Sequence, residues 1–206
     1  MVYKLQKIKT EQSVFRPLLA ENAPETIWTL GNLSLLQNPL IGFFCSVKCP
    51  GTVILRIYDL IRALRDAGIP VIGGFQSPME KECLDLLLRG DQPIVVCPAR
   101  SIENMRIPKT WQTGIDEDRL LLLSPFEAKH KRPTTQLTEQ RNRFVAALSN
   151  KIVIGHATKN GKIATLCSEW IDTKYPVYTL DMPDHIPLIQ QGVIGKNLQN
   201  LVLALK

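Results

Sequence analysis

The chain has 206 residues, 45% of them hydrophobic, which is enough for one substantial core and, at ~100 to 200 residues per domain, for one main domain. A formal net charge of +6 fits a polyanionic partner. No uncharged apolar run approaches the ~18 residues of a membrane span, and no basic stretch followed by a long apolar one opens the chain, so a soluble cytoplasmic protein with no membrane partner is expected.

Residues 1–38 do not follow the pattern of the rest and read as an N-terminal extension packed on a main domain of residues 39–206. From there short apolar runs alternate with helix-period segments. "LIGFFCS" is a strand, "TVILRIYDLIRALRDAG" a helix, "IPVIGGF" a strand, "PMEKECLDLLLRG" a helix and "QPIVVCP" a strand. Residues 99–118 read as an irregular connection. "RLLLLSPF", "TQLTEQRNRFVAALS", "KIVIGHA", "KIATLCSEWI" and "YPVYTL" repeat the alternation, and residues 195–206 close the chain as a helix or strand. Parallel strands need crossover helices, so the fold class is α/β, a doubly wound, mostly parallel Rossmann-like sheet of five or six strands.

Three polar turns leave the same sheet edge. "CSVKCPG" offers Ser46 and Lys48 to an anion but has neither a dinucleotide fingerprint nor a Walker loop. "VIGGFQSPME" has Gly73 and Gly74, which let a backbone approach a ligand, and Gln76, followed by a Ser77–Pro78–Glu80 capping box that itself occupies the helix end. Both readings, cap alone or cap beside a ligand, stay open. "ATKNGKIATL" places Asn160, Gly161, Lys162 and Thr165 at the start of a helix. On "TQLTEQRNRFVAALS" the spacing puts Arg141 on one apolar face with Leu137, Phe144, Val145 and Leu148, where a guanidinium needs a carboxylate, backbone carbonyls or a bound anion. Arg143 points elsewhere. Phe75 is one of few aromatics placed to stack a base near this edge. The five cysteines are scattered reduced thiols, and no Cys or His pair completes a zinc site beside Cys45 and Cys49, so no metal is expected. No nucleophile–base arrangement stands out.

"RNRFVAALS", "NGKIAT" and "VIGGF" together resemble the DprA (DNA-processing protein A, also called Smf) family. Arg141–Ser149 is similar to that family's R-N-R-I-I-A-x-L-S stretch, Asn160–Leu166 to its S-G-S-L-x-T-A loop, "IPLIQQGV" to its G-x-L-I-x-x-G-A tail, and "FRPLLAENAPETIWTLGNLSLL" to the segment before the sheet. The family's G-S-R is replaced by Cys45–Ser46–Val47, leaving Lys48 as the available cation. Its A-R-G-I-D turn has lost the arginine, and its aspartate is conservatively replaced. The resemblance implies a compact Rossmann-like protein that binds single-stranded DNA without catalysis or cofactor, at Ser46, Lys48, Gly73, Gly74, Gln76, Arg141, Asn142, Arg143, Asn160, Gly161, Lys162 and Thr165. It also implies hand-over to RecA recombinase in natural transformation; a homodimer is left open.

The alternative function is a small-nucleotide sensor, or a nucleotide-processing enzyme, on a related Rossmann-like fold. Hydrolytic relatives carry P-G-G-x-G-T-x-x-E where this chain has "TKNGKIATL". The missing glutamate argues against glycosidic hydrolysis.

Overall fold

The structure, a computed structural model, describes residues 5–10, 24–173 and 175–206. Its strands are β1 (Gln6–Lys9), β2 (Thr26–Gly31), β3 (Ile41–Cys45), β4 (Val71–Gly73), β5 (Ile94–Val96), β6 (Leu120–Ser124), β7 (Lys151–His156), β8 (Val177–Leu180) and β9 (Ile194–Lys196). The helices are α1 (Gly51–Asp66), α2 (Pro78–Leu87), α3 (Lys109–Asp116), α4 (Thr135–Ala147), α5 (Lys162–Asp172), α6 (Ile186–Gln190) and α7 (Leu198–Leu205).

All nine strands form one sheet in the order β1-β2-β6-β5-β4-β3-β7-β8-β9. β1 and β2 are antiparallel to their neighbours; every other pairing is parallel. The expected five or six strands become nine because β1, β2 and β9 lie outside the alternation that the sequence reading used. β1 and β2 pair antiparallel, which needs no crossover helix, and β9 is three residues long. The described part of the N-terminal segment is thus strand-paired to the sheet through β6, while residues 15–23 of the family-like stretch lie outside the described residues. The connection 99–118 is not wholly irregular either: α3 forms at its end with no side-chain cap and with Gly114 in its interior, which weakens its sequence signal.

β3 and β6 are buried along their whole length, as strands covered on both faces must be. Alternation then divides the core. Phe43 and Val71 pack with Ile57, Leu60 and Leu64 of α1 and with Cys83 and Leu87 of α2, while Phe44 and Ile72 pack with Val145 and Leu148 of the α4 segment and Leu166 and Trp170 of α5. The α1 stripe Val53, Ile57, Leu60, Ile61 and Leu64 follows the 3.6-residue period, and Gly68 ends the helix with a φ of 69°. Residues 195–206 end β9 and then form α7, so the closing segment is both strand and helix.

Candidate nucleic-acid interface

The strand order runs from β3 to β6 in one direction and from β7 to β9 in the other, so the crevice between the β3 and β7 loops lies where the winding reverses. The first two polar turns are tied together by one carboxylate. Glu80 Oε1 accepts the Cys45 N–H at 3.0 Å, and Oε2 accepts those of Gln76 at 2.9 Å and Ser77 at 3.0 Å. Ser77 Oγ accepts the Glu80 N–H at 3.2 Å, which completes the capping box. The α2 end is therefore filled by its own carboxylate. The third turn is fastened as well: Ser46 donates its N–H to the His156 carbonyl at 2.9 Å, and Ser46 Oγ accepts the Thr158 N–H at 3.1 Å.

Arg141 projects from α4 beneath these turns and is 2% exposed. Its Nη1 donates to the Cys97 carbonyl at 3.1 Å and its Nη2 to Gln76 Oε1 at 3.4 Å, while Nε has no partner among the described residues. Burial lowers the Arg141 pKa and the nearby Glu80 opposes that shift. Burial likewise pushes the Cys97 thiol up to about 12, against the pull of Arg141. Two of the three guanidinium nitrogens are partnered inside the protein, by a carbonyl and an amide.

A cavity of about 670 Å³ opens above, within the size range of ligand sites. Of the candidate binding residues, Ser46, Lys48, Gln76, Arg141, Asn142, Gly161 and Lys162 line it. Five expected residues do not. Gly73 faces the Phe75 ring, and a side chain on Gly74 would overlap the Arg141 guanidinium, so this second glycine makes room for an arginine rather than a ligand. Arg143 turns outward and clasps Glu169 with two hydrogen bonds of 2.8 and 3.1 Å. Asn160 takes the left-handed turn conformation (φ 56°) at the loop tip, and Thr165 Oγ1 returns to the Gly161 carbonyl. Phe75, the stacking candidate, is 4% exposed and packed in the core.

Sequence reasoning missed the wall formed by Pro133, Thr134, Thr135 and Thr138. Thr134 caps α4 by accepting the Leu137 N–H, a signal that was legible as a helix start but not as a lining. Pro78, Val47 and Ile163 supply apolar walls. Of the cations on the lining, Lys162 pairs with Glu139 at 3.3 Å and Arg141 is buried, while Lys48 is exposed and unpaired among the described residues. No cluster of three or more metal-ligating side chains occurs among the described residues, and none of the helices there is long and apolar enough to cross a membrane.

A mostly parallel sheet with a cavity where its winding reverses defines a Rossmann-like protein with a candidate ligand site. The chain belongs to the DNA recombination-mediator protein A family, whose model matches residues 10–187. Its fold is similar to that of DNA processing protein A (DprA) from Streptococcus pneumoniae, with 17% identity and a TM-score of 0.80 over 98% of this chain and 74% of that one. It is equally similar to DNA processing protein A from Helicobacter pylori, solved for its single-stranded DNA binding mode, with 17% identity and a TM-score of 0.79 over 98% and 96% of the two chains. The molybdenum cofactor binding protein of Rippkaea orientalis shares the fold more loosely, with 12% identity and a TM-score of 0.56 over 81% and 94%. Among curated protein sequences no match reaches significance.

Proposed function

We propose that the protein binds single-stranded DNA at the cavity between the β3, β4 and β7 turns, as a non-enzymatic member of its family. The observation that carries this reading is the surround of that cavity. Lys48 on its lip, Lys159 on the third turn, and Lys131 and Arg132 just before the Pro133 wall are all exposed and unpaired among the described residues. Unpaired cations on the lining and next to it in the chain suit a polyanion that extends beyond the cavity. The two serine hydroxyls of the cavity support a binding rather than a catalytic role: Ser46 and Ser77 are engaged in fixing the turns. No glutamate stands in the third turn for glycosidic hydrolysis.

Free thiols at all five cysteines fit a reducing compartment, the cytoplasm. Hand-over of the strand to RecA recombinase belongs to the same proposal, in keeping with the mediator role that the family's name expresses. So does a homodimer, which would cover exposed Leu203 or Ile194.

The test is a salt titration with a labelled oligonucleotide. The logarithm of affinity should fall linearly with that of salt, by roughly 0.7 per phosphate neutralised. Lys48→Ala should reduce the slope by about one contact. Arg143→Ala should change it less, because Glu169 already holds that guanidinium. Absence of salt-sensitive binding at low ionic strength would sink the single-strand reading.

A further inference from the structure

Asn160 is the only asparagine of the chain that is followed by glycine. The pair forms the tip of the third turn. Asn160 is exposed, holds a left-handed backbone (φ 56°) and makes no side-chain hydrogen bond among the described residues. Nothing there ties its amide down, and Gly161, lacking a Cβ, leaves the next peptide nitrogen open to it. The fold itself demands that glycine. A Cβ at 161 would stand 2.8 Å from the Thr158 carbonyl oxygen, and Gly161 N–H donates to the same oxygen at 2.8 Å.

The Gly161 nitrogen also lies in a positive field. Gly161 is the N-cap of α5, a helix end with no side-chain cap and no acidic residue in its first turn. Lys159 flanks the pair on one side and Lys162, shared with Glu139, on the other. Both features favour negative charge on that nitrogen. One contact opposes its use as a nucleophile: the hydrogen bond to the Thr158 carbonyl has to open first. That bond closes a short turn whose residues Thr158, Lys159 and Asn160 are all exposed, and such bonds open locally without unfolding the rest.

We propose that Asn160 is a site of spontaneous deamidation, with water as co-reactant, and that the product weakens the hold on a polyanion. The second half rests on the single-strand reading; the first does not. Hydroxide takes the Gly161 amide proton, and the nitrogen then bonds to Asn160 Cγ. The Cγ–Nδ2 bond breaks, ammonia leaves with a proton from water, and hydroxide is restored. Water opens the resulting five-membered imide, at Cγ to give aspartate or at the main-chain carbonyl to give isoaspartate. The sum is one amide and one water in, one carboxylate and one ammonium out. Aspartate accepts the left-handed backbone as asparagine does, so the turn is kept and the new charge sits beside the bare end of α5. Isoaspartate carries the chain through the side chain and breaks the Thr158–Gly161 turn. Either product places a carboxylate beside Lys159 and Lys162, where it competes with phosphate oxygens. Affinity then declines with the age of the molecule.

The test follows folded protein in mildly alkaline buffer, sampled for ammonia, for the mass of the peptide that spans the third turn, and for isoaspartate by enzymatic methyl transfer. Conversion should appear at Asn160 ahead of the other asparagines and quicken as pH rises. Asn160→Gly keeps the left-handed turn and should release no ammonia from that peptide. Asn160→Asp should hold or raise the melting temperature and bind a labelled oligonucleotide more weakly by up to roughly fivefold, the order of one exposed charge pair. Aged wild-type protein should show a similar loss, which Asn160→Gly aged alike should escape; this pair decides should Asn160→Asp fold poorly. No conversion of the folded protein, under conditions that convert the unfolded chain, overturns the proposal. Unchanged affinity on conversion, beside salt-sensitive binding by fresh protein, overturns its second half alone. If fresh protein binds no oligonucleotide the single-strand reading falls, and the peptide mass decides the modification by itself.

Discussion

A methyl group on Gly74 would occupy the space of Arg141 Nη1 and Cζ. That guanidinium is not a free tip that can swing away, because Cys97 and Gln76 hold it and the core encloses it. Gly74→Ala should therefore cost about 1–3 kcal/mol, the range for overpacking a well-filled interior. In an Arg141→Leu background the methyl group meets a shorter neighbour, so the same change should cost much less. Denaturant unfolding of the single and double variants measures this as a coupling. Additive costs would mean that the two residues do not share the space.

At the level of elements, the sequence was most legible where periodicity and burial agree. The stripe Leu137, Arg141, Phe144, Val145 and Leu148 is buried as its spacing required, and the capping box of α2 forms with both of its hydrogen bonds. Both are local signals, readable from a few residues. The path of Arg143 was not legible, because its partner Glu169 stands on a different helix, twenty-six residues away. Gly74 was misjudged for the same reason. A glycine beside a sheet edge reads as room for a ligand until the side chain that fills the room is located in space. Phe75 is a third case: its left-handed backbone (φ 47°) turns the ring back over Gly73 and into the core, a conformation rarely anticipated for an aromatic residue.

For the whole molecule, the relevant titration lies behind the third turn. The rings of His156 at the end of β7 and His185 in the turn before α6 are 5.8 Å apart, and His185 is fully buried. The Leu180 carbonyl, 2.9 Å from His185 Nδ1, can only accept, so the neutral ring carries its proton there. Burial lowers both pKa values, their mutual repulsion lowers that of His156 further, and Asp184 opposes the shifts. The unfolded chain, with histidine near 6.5, then binds protons before the folded one does. Stability is intact above about pH 6.5 and is lost as pH falls from there through the lower folded values. The melting temperature should drop between pH 7.5 and 5.5, and His156→Gln should make that drop smaller. An unchanged drop in the variant would assign the acid sensitivity elsewhere.

The three tryptophans, Trp28, Trp111 and Trp170, pack in or against the core, and no aromatic ring borders the cavity among the described residues. A strand seated there would leave the protein's intrinsic emission nearly untouched, while unfolding would expose Trp28 and Trp170 together. Ultraviolet fluorescence consequently reports the folded state and is blind to occupancy. Saturation of the site must be followed through a dye on the oligonucleotide, and the same sample then yields affinity and stability through two independent optical channels.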